Sequence, residues 1–227
     1  MKKKSKSKSK RLLFVGAGLL TAFTIWTLLV RFVDVQAIGP EGSKVGFAAL
    51  NGFVHRFTGV NMTLYRITDW LGLVPIGVAF AFAVFGLIQW IKRKSLLRVD
   101  RSILLLGGFY IVVMSVYVFF ESVVINCRPT LIDGYLEASY PSSTTVLVMC
   151  VMPTLAMQIE ARVKNNALRL CGALAVSLFV AFMVFGRIFS GVHWITDIIG
   201  GALFSAGIVL MYYALALTAS EFGAEES

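Results

Sequence analysis

Histidine and cysteine are scarce in this chain. It has two histidines, His55 and His193, and three cysteines, Cys127, Cys150 and Cys171, in 227 residues. The cysteines form no spaced pair and lie in or beside apolar runs, which argues against a disulfide framework or a zinc site. Cys127 alone falls near other polar residues of interest, where a small packing role suits it. Charge is scarce too. Only 15% of the residues are charged against 58% hydrophobic, and the mean hydropathy is +0.81. That excludes an ordinary soluble domain and points to a polytopic membrane protein. No internal repeat is visible, which leaves repeat architectures aside.

The apolar residues fall in blocks separated by short polar stretches. Residues 1–11 form a basic arm with lysine at positions 2, 3, 4, 6, 8 and 10, read as disordered and as touching anionic lipid. The tract abuts an apolar run, so nucleic acid is not expected as its partner. Leu12 to Val30 is about long enough to cross a bilayer. A signal peptide is the competing reading, with Val35-Gln36-Ala37 as its cleavage site. The run is long for a signal, however, and Arg31 and Asp34 precede that site, which favours a retained anchor. In the mixed segment Asp34 to Asp69, Val45, Ala49, Phe53 and Phe57 recur near helical spacing, which predicts an amphipathic helix on the membrane surface. Further spans are expected over Trp70 to Ile91, Ile103 to about Ile125, Thr144 to Ile159, Leu170 to Phe189 and Trp194 to Leu217. The fold class is therefore all-α: a six-transmembrane helical bundle over 12–217, with a surface amphipathic helix between spans 1 and 2. An acidic tail over 218–227 carries Glu221, Glu225 and Glu226.

Lysine and arginine set the expected orientation. With the N-terminus inside, 15 of the 21 basic residues fall inside, in the arm, around Lys92 to Arg101 and between Arg162 and Arg169. Both termini are then cytoplasmic. The loop Arg128 to Ser143 and the segment Arg187 to His193 share the outer side, as a composite site requires.

Arg187 to Asp197 reads Arg-Ile-Phe-Ser-Gly-Val-His-Trp-Ile-Thr-Asp. Ionisable groups inside apolar runs are expensive and mark functional sites. On a helix, His193 and Asp197 share one face, and a carboxylate there can fix the tautomer of the imidazole. Arg187 adds a planar, permanently charged fork suited to phosphate. These residues alone fit two readings equally: a nucleophile with its orienter and an anion clamp, or an ion-paired helix cap. Two other stretches converge on the same side. Arg128-Pro129 ends the third span, and Tyr140-Pro141-Ser142-Ser143-Thr144-Thr145 opens the fourth with capping hydroxyls and first-turn amides that suit an anion.

The order Arg-Pro, then Pro-Ser-x-x, then Arg-x5-His-x3-Asp resembles the type 2 phosphatidic acid phosphatase family of membrane lipid phosphatases, over roughly Glu121 to Gly201. The resemblance implies six spans, an extracytoplasmic site, a phosphohistidine intermediate and no metal or other cofactor. It implies His193 as nucleophile, Asp197 as its orienter, and Arg128, Arg187, Ser142 and the amides of Ser143 and Thr144 as phosphate ligands. Two positions depart from the pattern. Glu121 stands where the family has a lysine; its expected role is to pair with and orient Arg128 or Arg187, with a protonated acid as the alternative. Thr144 stands where the family has the acid histidine. His55, in a flexible and distant segment, is not expected to replace it.

Proton donation contributes about 10²–10⁴-fold in catalysis, and an alkoxide leaving group needs it more than a phosphate does. The expected function is thus hydrolysis of a lipid phosphate or pyrophosphate at the outer leaflet of the plasma membrane, with polyprenyl pyrophosphate favoured over phosphatidic acid. The alternative is an impaired phosphatase-like protein that binds lipid phosphates without turning them over.

Overall fold

Apolar blocks of this length satisfy their backbone groups in lipid only as helices. The computed structural model describes the backbone of residues 2–223 and the side chains of residues 7–218, and within those limits it is all-helical, without a β-sheet. Its helices are α1 (Lys2–Phe32), α2 (Ala48–Thr58), α3 (Met62–Leu71), α4 (Leu73–Arg93), α5 (Arg101–Ser122), α6 (Ser143–Arg162), α7 (Asn166–Ser190) and α8 (Ile195–Gly223). Among the described residues, six segments are long and apolar enough to cross a membrane: Ser7–Phe32, Met62–Arg93, Arg101–Ser122, Ser143–Arg162, Asn166–Ser190 and Ile195–Thr218. The expected six-span bundle is thus present, with α2 between its first two spans.

α1 lies along α8, and an aromatic cluster closes the bundle around them. Phe23 stacks on Tyr140 with ring centroids 6.4 Å apart and meets Phe204 at 5.4 Å and Phe120 at 5.8 Å. Tyr140 lies across Gly200, where an added Cβ would come within 2.6 Å of the ring, so this glycine permits the close approach. At the opposite end of the bundle, Asp100 joins Arg93 (2.9 Å) to Arg162 (3.4 Å) and clasps the two short connections there. α2 is held to the bundle by a buried polar residue: Asn51 Nδ2 donates to Gly46 O (2.7 Å) and Thr196 Oγ1 (2.9 Å), while its Oδ1 accepts the Thr196 amide (3.3 Å). Phe53 and Phe57 face outward from the same helix, as a surface helix in lipid requires.

Four expectations change. The arm read as disordered continues the first span as helix from Lys2, because the apolar run supplies the nucleus and lysine extends it readily. Ser9 ties this end to α8, donating to Ala214 O at 3.0 Å. The second span begins earlier than Trp70, through α3: the polar Arg66 and Asp69 hide its continuity in the sequence, but Asp69 is paired across the bundle. The third span ends at Ser122, so Arg128 is not on the helix that carries Glu121. Ser142 occupies the N-cap position of α6 without capping it; its hydroxyl instead accepts from Thr145 Oγ1 at 3.0 Å. The acidic tail beyond residue 218 and the lysine side chains up to Lys6 lie outside the described side chains.

Candidate active site

The connection between α7 and α8 is four residues long, and its geometry decides where His193 goes. Gly191 ends α7 with φ +66°, a left-handed C-cap that favours glycine. A Cβ there would also sit 1.7 Å from Gly59 O, on the chain that leads into α3. Two residues on, the side chain of His193 is turned inward and buried. Asp197, in the first turn of α8, accepts the Trp194 amide on Oδ2 at 3.0 Å, the return half of a capping box. The same oxygen lies 3.7 Å from His193 Nδ1, beyond a hydrogen bond. The acceptor within reach of Nδ1 is the Ser139 carbonyl, at 3.2 Å. Asp197 therefore caps the helix and sets its carboxyl group beside the ring, while Ser139 O holds the Nδ1 proton. Sequence reasoning could not single out Ser139, because it acts through a backbone carbonyl that every residue has.

Arg128 reaches the other ring nitrogen. Its Nη1 donates to His193 Nε2 at 3.1 Å, which assigns the lone pair to Nε2 and the proton to Nδ1. Arg128 is placed by a small hairpin rather than by the end of a helix. Ile132 and Tyr135 pair through the turn residues Asp133 and Gly134, both at positive φ, as an Asp-Gly hairpin turn requires. Cys127 pairs with Ala138 further along, and Pro129, which has no N–H to offer, lies in the bulged stretch between. This brings Glu137 opposite Arg128, with Oε2 2.9 Å from Nε. The Asp-Gly dipeptide was the available sequence signal for the hairpin and hence for Glu137.

Arg187, 1% exposed, sits on the inner side of α7. Its Nη2 donates to Asp69 Oδ1 at 2.9 Å and also to Thr144 Oγ1, while Nε and Nη1 are buried without an acceptor. Tyr65, one turn before Asp69 on α3, lies between the two arginines, its ring centroid 5.0 Å from the Arg187 guanidinium carbon and 5.9 Å from that of Arg128. Neither Tyr65 nor Asp69 was expected here, since their segment read as a surface connection. Glu121 pairs with neither arginine, a correction to its expected role: Glu137 and Asp69 are closer to hand. It lies beside Tyr117 instead.

His193, Ser143, Thr144, Glu121 and Asp69 line one cavity of about 400 Å³, which continues along α4 and α5 over apolar side chains such as Leu73, Ile76 and Val113. The first-turn amides of α6 at Ser143 and Thr144 carry no side-chain cap, leaving the positive end of that helix toward the cavity. Burial, then the charges of Arg128 and Arg187, push the His193 imidazole well below its ordinary value, against the Ser139 hydrogen bond. His193 is therefore neutral near pH 7. The other histidine is not distant, as the sequence suggested. The His55 ring lies 5.4 Å from that of Trp194 and shares a narrow crevice with His193, because Asn51 draws α2 against the start of α8. Burial lowers the His55 pKa. Trp194 also anchors the hairpin, donating from Nε1 to Cys127 O at 2.7 Å. Among the described residues, no three His, Cys, Asp or Glu side chains gather as a set that could hold a metal ion.

The model of the PAP2 superfamily matches residues 121–221, which takes in the hairpin, α6, α7 and nearly all of α8. No curated protein matches the chain. Among solved structures, a transmembrane PAP2 type phosphatidylglycerolphosphate phosphatase from Bacillus subtilis superposes with a TM-score of 0.55 at 16% identity, over 89% of this chain and 95% of that one. The resemblance read from the three motifs is thus shown, and so is the fold.

Proposed function

We propose, from the PAP2 superfamily region over residues 121–221, that this chain is an integral membrane lipid phosphatase working through a phosphohistidine. The observation that carries the reading is the pairing of a neutral, buried His193 with Arg128 at the head of an apolar cavity. Leu73, Ile76 and Met114 are cavity walls exposed on the outside of the bundle, so a lipid tail can lie along them while its phosphate reaches His193.

In the first step Nε2 attacks phosphorus, the bond to the leaving oxygen breaks, and Arg128 transfers its donor from Nε2 to a phosphate oxygen. The Nδ1 proton stays on the ring, held by Ser139 O, with Asp197 balancing the charge that develops. Arg187 and the amides of Ser143 and Thr144 hold the other oxygens. In the second step water attacks the phosphohistidine, and phosphate leaves. Thr144 cannot protonate an alkoxide, which favours a leaving group that needs no proton. A phosphoanhydride such as a polyprenyl pyrophosphate fits this requirement better than phosphatidic acid.

The test is phosphate release by purified protein from phosphatidic acid, phosphatidylglycerol phosphate and a polyprenyl pyrophosphate. Release should be fastest from the pyrophosphate and should fall about 10³-fold or more in His193→Ala. Faster hydrolysis of phosphatidic acid would remove the anhydride preference. Lipid phosphate binding without release by wild type would favour the non-catalytic binding protein, the reading that Thr144 supports.

A further inference from the structure

The phosphate seat already contains an anion belonging to the protein. Arg187 does not itself line the cavity: Asp69 and Thr144, which do, stand between its Nη2 and the open space. The other two guanidinium nitrogens, Nε and Nη1, are buried away from it. A phosphate arriving along the cavity therefore meets the Asp69 carboxylate before it meets Arg187. The pair is asymmetric in a way that allows exchange. Arg187 is 1% exposed and fixed, with its guanidinium over Tyr65, whereas the Asp69 side chain is 58% exposed and free to turn toward solvent. α3 lies outside the residues matched by the superfamily model.

The geometry points to Asp69 as an internal competitor for phosphate, a carboxylate that occupies the phosphate position on Arg187 and must be displaced by substrate. The proposal rests on the lipid phosphatase reading and deepens it. Displacing Asp69 is equally unfavourable for every phosphate, but only a lipid offsets it, through its tail in the apolar cavity whose mouth Asp69 lines. Soluble phosphates lack that contribution. Asp69 thereby raises the concentration at which free phosphate and soluble monoesters occupy the site, and it limits inhibition by the released product. A residue that merely positioned Arg187 would act in the opposite direction, since its loss would weaken phosphate binding.

Asp69→Asn keeps the shape and a hydrogen-bonding oxygen while removing the charge; Asp69→Ser removes the charge and shortens the side chain. In full-length protein in detergent micelles, orthophosphate affinity measured by titration calorimetry should rise about tenfold in both variants, within the range that coupling of one close charge pair produces. The kcat/KM for p-nitrophenyl phosphate should rise by a similar factor. Unchanged or weaker orthophosphate binding, with lipid phosphate release intact in wild type, would overturn the role of Asp69 and leave the phosphatase reading standing. If wild type neither binds orthophosphate nor releases it from lipids, both readings fall.

Discussion

At the scale of single residues, protonation of His193 connects chemistry to stability. Its folded pKa lies well below 6.5, lowered first by burial and then by the two arginines. The folded protein therefore binds fewer protons there than the unfolded chain, whose histidine titrates near about 6.5. Stability from this group is fully present above that value and is lost as pH falls below it. The thermal midpoint of the solubilised protein should drop between about pH 6.5 and 5, and His193→Gln should flatten that part of the curve. The acid limb of kcat/KM in wild type should lie below pH 6.5 for the same reason; a limb above it would mean that His193 is not held neutral. The residues that isolation in apolar sequence made conspicuous, Arg128, Arg187, His193 and Asp197, do gather at one site. Ser139, Tyr65 and Asp69 were not conspicuous. The first acts through its backbone, and the other two sit where Arg66 and Asp69 make a membrane helix read as a loop.

At the scale of elements, three small structures hold the site: the α7–α8 corner, the Arg128–Glu137 hairpin and the α2 surface helix. α2 depends on one side chain. Asn51 is fully buried and exchanges hydrogen bonds with both the backbone and the hydroxyl of Thr196, in the first turn of α8. Asn51→Ala would strand the buried Thr196 amide and Gly46 carbonyl, and unsatisfied buried groups cost about 1–3 kcal/mol each. Denaturant or thermal unfolding in detergent should show a loss of about that size, accompanied by reduced phosphate release because α8 carries Asp197 and follows His193. Wild-type stability in this variant would show that α2 is held by lipid rather than by Asn51. An amphipathic pattern was legible over this helix, but its polar anchor was not, since a lone asparagine on a surface helix has no distinguishing neighbour in the sequence.

At the scale of the whole molecule, the connections 33–61, 123–142 and 191–194 meet at one end of the bundle, with the arginines and His193. The clusters around Lys92 to Arg101 and Arg162 to Arg169 lie at the other end, with the start of the first span and the end of the last. The inside preference of basic residues then predicts an extracytoplasmic site. In a background with the native cysteines replaced by alanine, Tyr135→Cys on the hairpin should react with a membrane-impermeant maleimide in intact cells. Leu97→Cys, exposed at the opposite end, should react only after permeabilisation. The reverse pattern would place the site in the cytoplasm.

The sequence by itself determined the six-span helical class, the meeting of its polar segments at one end, and the histidine–arginine set. Hydropathy, charge asymmetry and the scarcity of ionisable residues are local properties that need no partner to be read. Only the tertiary structure decided which groups pair. It gave Nδ1 of His193 to Ser139 rather than Asp197, gave Arg128 to Glu137 and Arg187 to Asp69, and brought His55 against Trp194. Those pairings join residues up to 139 positions apart, from His55 to Trp194, and follow from how helices and a hairpin meet at the end of a bundle. Hydrogen bonds and ion pairs depend on distances of a few ångströms, which spacing along the chain does not encode.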